Sequence, residues 1–184
     1  MIVHTKMKEL KSLFYLESLR RWHFKDLIEE SGLSRERVDY YLKQLKNEQF
    51  IQRIKPKAKM PYYSANLSSP SFRTGKRLYG LCILAESGLL AHLASCKGIK
   101  TAILFGSFAR GDWNKSSDID LFVYGDDKEF NQGFFEKKLC REIQILSYNN
   151  LSKIKELDPS LIPNILKGIS LTDSLEPFKI GIYG

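Results

Sequence analysis

The stretch at 104–123, LFGSFARGDWNKSSDIDLFV, decides the fold expected for the second part of the chain. It begins at the end of an apolar, β-prone run, which passes directly into the pair Gly106 and Ser107. After ten intervening residues, Asp118 and Asp120 introduce a second apolar run. Side chains alternate along a strand, so the two aspartates are predicted to share one face of it. The stretch therefore predicts a strand, a glycine turn, a helix start and a second strand that carries two carboxylates.

This layout suits the binding of a phosphorylated ligand together with a cation. A strand that runs into a helix through Gly106 exposes backbone N–H groups at the positive end of the helix. The hydroxyl and amide of Ser107 can bind phosphate oxygens, and Arg110 adds a nearby cation that can equally pair with the next aspartate. Asp118 and Asp120 lie about 6–7 Å apart along the backbone, so both can reach a hard cation. Each motif alone is also compatible with an ordinary loop or a solvated strand edge.

The combination of Gly-Ser, ten residues and Asp-x-Asp resembles the DNA polymerase β-like nucleotidyltransferase superfamily, and within it the minimal nucleotidyltransferases. The resemblance covers about residues 88–171. It implies a small mixed sheet with flanking helices, in which Gly106 and Ser107 bind a triphosphate while Asp118 and Asp120 are catalytic and hold the metal. The implied reaction is Mg²⁺-dependent transfer of a nucleoside monophosphate from an NTP to a hydroxyl on protein, RNA or a small molecule. ATP is the favoured nucleotide, and Mn²⁺ is the alternative metal.

One expected acid of this family is missing. The family normally supplies a third carboxylate from a later strand, which here is 141–146, REIQIL. Its apolar alternation puts Gln144 at that position. Glutamine can coordinate a metal through its side-chain oxygen, but it carries no charge and cannot act as a base. Glu142 lies on the same face about 6–7 Å away, as either a displaced metal ligand or a surface acid. We therefore expect nucleotide and one Mg²⁺ to bind through Asp118 and Asp120, with turnover that is slow or needs a group from a partner.

The first part of the chain has a different pattern. Helical spacing predicts helices over 7–20, 24–30 and 35–48, the last with Ser34 as its N-cap. Two short strands, 50–54 and 61–65, follow around a basic turn. This order resembles a winged helix-turn-helix domain over about residues 5–66, which implies binding to double-stranded DNA. The implied contacts come from the third helix and the wing: Arg35, Arg37, Tyr40, Lys43, Lys55, Lys57 and Lys59.

The charge distribution agrees with a polyanion partner for the first part of the chain. The 184 residues carry a net charge of +8, of which +6 falls in 1–70 and +2 in 71–184. Such an excess favours nucleic acid, although a solubilising surface is the alternative. A winged helix used only for dimerisation or protein contacts also remains open.

Composition limits the remaining classes of protein. The three cysteines have no CxxC spacing and lie among apolar residues, which predicts buried free thiols in a reducing cytoplasm. The sequence has neither an apolar run long enough for a membrane span nor a signal-peptide core at its start. We therefore expect a cytoplasmic protein with no membrane partner.

The predicted fold class is α+β, in three parts. A winged helix-turn-helix at 1–70 is followed by a connecting helix at 71–87 and a nucleotidyltransferase domain at 88–184. Helices are predicted at 151–157 and 160–167, with a tail after them and no evident chemistry. Two functions stay open: a nucleotidyltransferase, or a DNA-binding regulator whose transferase-like domain senses nucleotide without appreciable turnover. The resemblance also allows an antitoxin that modifies a cognate toxin, and a homodimer.

Overall fold

The computed structural model describes residues 2–178 and divides into two compact units, Met1–Tyr79 and Gly80–Gly184. Each unit combines helices with a sheet, so the fold is of the predicted α+β class.

The first unit contains three helices and a two-stranded sheet in the predicted order. The helices are α1 (Ile2–Leu16), α2 (Phe24–Ser31) and α3 (Arg35–Asn47), and the strands are β1 (Ile51–Ile54) and β2 (Tyr62–Ala65). The strands pair antiparallel, with Ile51 opposite Ala65. The unit's core is built from buried side chains on all five elements and the segments between them, among them Leu10, Phe14, Trp22, Leu27, Val38, Leu45 and Phe50.

Local signals explain the boundaries of α2 and α3. Gly32, with φ of 61°, closes α2 in the left-handed conformation that suits glycine. The hydroxyl of Ser34 accepts a hydrogen bond from the backbone N–H of Arg37 at 3.4 Å, so Ser34 is the N-cap of α3.

The predicted extent of the first helix is wrong at its C-terminal end. The helix ends at Leu16 rather than continuing to Arg20, and Leu19 is 75% exposed although it continues the apolar spacing. The chain turns after Leu16 and brings the Arg20 guanidinium to 3.9 Å from the centre of the Trp22 ring. The turn takes Leu19 off the buried face, an outcome that helical periodicity cannot anticipate.

A helical segment follows, broken where the sequence predicts. Helix α4 (Pro70–Glu86) and helix α5 (Leu89–Ser95) are separated by Ser87 and Gly88, and Gly88 has φ of 85°. Across the part of the chain that the structure describes, no single helix is long and apolar enough to cross a membrane. Only α4 and α5 taken together, with a 62° bend between them, reach that length and composition.

The second unit is built on a mixed four-stranded sheet. Its strands and helices, in chain order, are β3 (Ile99–Phe105), α6 (Gly106–Arg110), β4 (Ile119–Gly125), α7 (Gln132–Leu139), β5 (Ile143–Tyr148), α8 (Leu151–Ile154), α9 (Ile162–Leu166) and β6 (Ile169–Ser170). The strand order is β5-β4-β3-β6, in which β4 and β5 run parallel and the other pairs antiparallel. The short strand β6 was not predicted, because two residues offer no periodicity to read.

Strand register places the apolar core and the polar residues of interest on the same sheet face. Residues opposite one another on paired strands point to the same side, and Phe105, Asp120 and Gln144 form such a row across β3, β4 and β5. The neighbouring buried residues of this face form an apolar cluster with residues from the region of α8 and α9: Ile103, Phe122, Tyr124, Leu157 and Ile165. The row therefore lies at the polar edge of a packed core.

The cysteine prediction is correct for one residue of three. Cys96 is buried, whereas Cys82 and Cys140 are exposed. Cys82 lies on the outer side of α4, and Cys140 takes φ of 50° in the turn that ends α7. Apolar neighbours in sequence do not ensure burial at such positions.

Candidate functional site

The turn between β3 and α6 is fixed against an aspartate of the next strand. Phe105 is the last residue of β3 and pairs with Asp120, so Gly106 and Ser107 start the helix beside that carboxylate. Gly106 has φ of 66°, and a β-carbon there would collide with the Asp120 carboxylate. The backbone N–H of Ser107 donates a hydrogen bond to the same carboxylate. Only glycine satisfies both the backbone conformation and the close approach.

The two aspartates form a compact acidic pair. Asp118 and Asp120 are both partly buried, and burial together with the negative charge of Asp118 raises the pKa of Asp120. The Arg110 guanidinium and the Ser107 N–H oppose this shift. Two adjacent carboxylates whose charges repel one another fit a divalent cation held through oxygen ligands, because the cation would relieve the repulsion.

A third carboxylate is missing from this pair. Among residues 2–178, no group of three or more His, Cys, Asp and Glu side chains is placed to hold a metal ion. Gln144 pairs with Asp120 in the β4–β5 register, and its Nε2 donates a hydrogen bond to Asp118 Oδ2 at 2.8 Å. Gln144 therefore presents a neutral donor at the position where the family resemblance predicts an acid.

Glu142 lies outside this arrangement. It precedes β5, its side chain is exposed, and its backbone carbonyl accepts a hydrogen bond from Ile119 N–H at 2.9 Å. Within 2–178 it forms no ion pair with Lys138 or Arg141. Of the two alternatives at this strand, Gln144 is the residue that contacts an aspartate of the pair.

A polar cleft of about 340 Å³ lies in front of the turn and the acidic pair. Arg110 lines it and forms an ion pair with Asp112, with 3.1 Å between Nε and Oδ2. The sequence analysis left open whether Arg110 faces a ligand or pairs with Asp112, and the structure shows both a position in the cleft and the pair. The residues that line this cleft are Phe105, Gly106, Ser107, Arg110, Ser116, Ser117, Asp118, Asp120 and Asn164.

Two residues near the cleft were missed by the sequence analysis. Asn164, from α9, lines the cleft although no chemistry was expected after residue 150, and no sequence motif marks it. Arg141 donates three hydrogen bonds to the loop that carries Asp118. Its burial lowers its pKa, while the charge of Asp118 acts in the opposite direction. A cation directly before the strand of Gln144 was the available signal for Arg141.

The proposed DNA contacts of α3 are exposed. Arg35 and Arg37 lie in its first turn, and the Arg35 guanidinium is 5.4 Å from the centre of the Phe24 ring. Tyr40 is 56% exposed, and its hydroxyl accepts a hydrogen bond from Gln44 Nε2 at 2.9 Å. These side chains therefore offer cationic and polar groups to solvent.

The lysines of the first unit are not equivalent. Lys43 pairs with Asp39 at 2.7 Å, and the hydrogen bond and charge of Asp39 raise its pKa. Lys55, Lys57 and Lys59 are exposed in the turn between β1 and β2. The turn lysines thus present their charge to solvent, whereas part of the Lys43 charge is offset by its neighbour.

Comparison with known proteins agrees with the geometry of the second unit. Residues 89–176 match the family model described as "Polymerase beta, Nucleotidyltransferase". Two proteins of Methanocaldococcus jannaschii with the curated name "Putative protein adenylyltransferase" are similar to the chain. One is 61% identical over 28 residues, 15% of this chain, and the other is 34% identical over 65 residues, 29% of this chain. The chain spans 28% and 64% of the lengths of these relatives.

The second unit is therefore similar to polymerase β-like nucleotidyltransferases, as the Gly-Ser and Asp-x-Asp motifs also indicated. The protein is similar to nucleotidyltransferases over the part that contains this cleft.

The contact between Gly106 and Asp120 predicts that a side chain at residue 106 strongly destabilises the fold. Gly106→Ala is expected to lower the free energy of unfolding by about 2–4 kcal/mol, because it adds a collision to the left-handed backbone penalty. Gly88→Ala is the matched control, since Gly88 also has positive φ but a β-carbon there meets nothing within 4 Å. Urea unfolding followed by tryptophan fluorescence measures both. An equal loss of unfolding free energy in the two variants would show that the close approach of Asp120 to Gly106 does not add to the destabilisation.

Proposed function

We propose that the second unit is a nucleotidyltransferase that binds an NTP with Mg²⁺, or Mn²⁺ in its place, and transfers the nucleoside monophosphate to a hydroxyl. The observation that carries the proposal is the meeting of the Gly106-Ser107 turn with Asp118 and Asp120 at one polar cleft. ATP as the nucleotide and a protein hydroxyl as the acceptor are supported by the name that both relatives carry.

In the proposed reaction the acceptor oxygen attacks the α-phosphorus and forms a new P–O bond. The bond to the β-phosphate oxygen breaks, pyrophosphate leaves with that electron pair, and the acceptor proton passes to solvent or to a base. A divalent cation, when bound by Asp118 and Asp120, would supply charge neutralisation at the phosphates. Since the Ser107 amide already binds Asp120, the Ser107 hydroxyl is the group left to bind a phosphate oxygen. Gln144 cannot accept the proton, because an amide is not a base at neutral pH.

A second candidate function follows from the neutral residue in the site. Gln144 donates to Asp118 where an acid would complete a two-metal site, so nucleotide can be held without efficient activation of an acceptor. Under this alternative the protein is a DNA-binding regulator whose second unit senses nucleotide with weak turnover or none.

For the first unit, we propose a winged helix-turn-helix that binds double-stranded DNA. Three helices followed by an antiparallel hairpin support it, with α3 as the recognition helix and the β1–β2 turn as the wing. Arg35, Arg37 and Tyr40 would face the major groove, and the turn lysines would meet phosphates. Use of this unit for dimerisation or protein contacts alone is the outcome that a failure to bind DNA would favour.

Transfer of label from each of the four α-³²P-labelled NTPs tests the enzymatic proposal. With Mg²⁺ and a cell extract, the full-length protein is expected to label a macromolecule, best from ATP. Asp118→Asn and Asp120→Asn are expected to reduce labelling by about 100-fold or more, because each removes a charged metal ligand. Asp173→Asn is the matched control, an exposed aspartate of the same unit outside the cleft. Digestion with protease or ribonuclease identifies the acceptor.

Labelling that persists in both cleft variants would contradict the assignment of the acidic pair. Binding of ATP and Mn²⁺ by the wild type, measured calorimetrically, without any labelling would favour the nucleotide-sensing regulator instead.

Restoring the third acid is expected to increase turnover. At saturating Mg²⁺, Gln144→Asp should raise the transfer rate by about tenfold or more, because it adds a charged ligand and base beside Asp118. At low Mg²⁺ the same variant should bind nucleotide more weakly, since three carboxylates then repel one another. Glu142→Ala is the control and should leave the rate unchanged. A loss of rate in Glu142→Ala, with none gained in Gln144→Asp, would identify Glu142 as the third ligand.

DNA binding should depend on the turn lysines more than on Lys43. The double variant Lys57→Ala/Lys59→Ala is expected to reduce the slope of log affinity against log salt by about 2, one phosphate contact for each lysine. Lys43→Ala should have a smaller effect on duplex affinity, because Asp39 already offsets that charge. Fluorescence anisotropy with a labelled duplex over a salt series measures both. An unchanged slope in the double variant, or no binding at low salt, would count against a DNA role.

A further inference from the structure

The segment that presents Asp118 to the cleft has no helix or strand of its own. It runs from 111 to 118 between α6 and β4 and contributes Ser116, Ser117 and Asp118 to the cleft lining. Local hydrogen bonds shape its tip: Asn114 N–H donates to Ser117 Oγ at 2.8 Å, and Ser116 N–H donates to Asn114 Oδ1 at 2.8 Å. These bonds define a turn but do not connect it to the sheet.

Two side chains make that connection: Gln144 of β5 donates to the Asp118 carboxylate, and Arg141 holds the backbone of the segment before it. The Nη1 atom of Arg141 donates to three backbone carbonyls of the segment, those of Asn114 at 2.8 Å, Lys115 at 3.1 Å and Ser117 at 2.7 Å. Directly beside it, the carbonyl of residue 142 accepts a hydrogen bond from Ile119 N–H. A backbone hydrogen bond therefore joins the starts of β4 and β5, and the Arg141 side chain adds hydrogen bonds from the start of β5 to the segment before β4.

Two aromatic rings fix the guanidinium in place. Its central carbon lies 5.2 Å from the Phe108 ring centre and 5.4 Å from the Trp113 ring centre. These rings are buried and stacked, 5.0 Å apart and 9° from parallel. Phe108 belongs to α6 and Trp113 to the segment, so Arg141 contacts both sides of the turn that leads out of the helix. The planar, multidentate shape of a guanidinium suits this combination of stacking and carbonyl contacts, whereas an ammonium would lose part of it.

We infer that Arg141 is a positioning residue, which holds the 111–118 segment so that Asp118 and the two serines face the cleft. It acts through the segment and does not itself line the cleft. The effect on nucleotide and metal binding rests on the function proposed above, whereas the effect on the segment follows from the contacts of Arg141 alone. Arg141 thereby supports the site from outside, as second-layer residues do around metal centres.

Hydrogen–deuterium exchange on the full chain tests the positioning directly. In Arg141→Lys, which keeps the charge, exchange in a peptide covering 111–118 is expected to rise about tenfold, with α7 unchanged. Lys138→Ala is the matched control, because Lys138 is a nearby cation that lies over the Phe134 ring 5.7 Å away and does not contact the segment. Exchange in 111–118 should stay at the wild-type rate in this control.

Binding measurements then connect the segment to the site. Calorimetry with Mn²⁺ and a non-hydrolysable ATP analogue should show about 10–100-fold weaker binding in Arg141→Lys than in wild type. In Arg141→Ala, millimolar guanidinium should restore both protection and binding. Methylammonium should not, because it can donate to the carbonyls but has no planar face to lie against the Phe108 and Trp113 rings.

Wild-type exchange rates in Arg141→Lys, or rescue by methylammonium as effective as rescue by guanidinium, would overturn the inference. A wild-type protein that binds neither Mn²⁺ nor the analogue would disprove the proposed function. The exchange comparison would still decide whether Arg141 positions the segment, so the two failures are distinguishable.

Discussion

The antiparallel pairing of β3 with β4 is the constraint on which the rest of the candidate site depends. Its register places Asp120 opposite Phe105, and the chain must then leave β3 directly beside a carboxylate. Gly106 accommodates that carboxylate, and the Ser107 N–H binds it. The turn and the acid are therefore one unit: neither can shift along its strand without breaking the ladder that aligns them. The pairing of β3 with β4 therefore sets the shape of the cleft.

The charged groups of the site are arranged in two layers, with the carboxylates inside and the cationic side chains around them. The carboxylates lie close enough for the charge of Asp118 to act on Asp120, and the nearest partner from β5 is the neutral amide of Gln144. The cationic side chains lie around them: Arg110 is paired with Asp112, and Arg141 is engaged with backbone carbonyls. The repulsion between the aspartates is thus moderated, but not removed, by the charge of Arg110 and by hydrogen bonds. The two carboxylates therefore favour the binding of a cation beside them.

Sequence patterns predicted those parts of the molecule that depend on local rules. A continuous apolar run located the strand that bears Phe105, alternation located the strand that bears Asp120, and a capping serine located the start of α3. The Ser107 amide was assigned to phosphate, but its partner is Asp120, because strand register is a tertiary property. Asn164 lines the cleft from α9, and Arg141 contacts the 111–118 segment from the turn before β5; no local motif marks either contact. Leu19 is exposed because α1 ends at Leu16, and helical periodicity does not show where a helix ends.

The amide at residue 144 has a consequence for how such a site can change over generations. Glutamine and glutamate codons differ only in their first base, so an amide and a carboxylate at this position are neighbours in the genetic code. The strand pairing, the glycine turn and the acidic pair would all be retained across that step, because Gln144 is exposed and no core packing depends on its amide. Under the proposed function, a point mutation at residue 144 could convert a protein that only binds a nucleotide into one that transfers it, or the reverse.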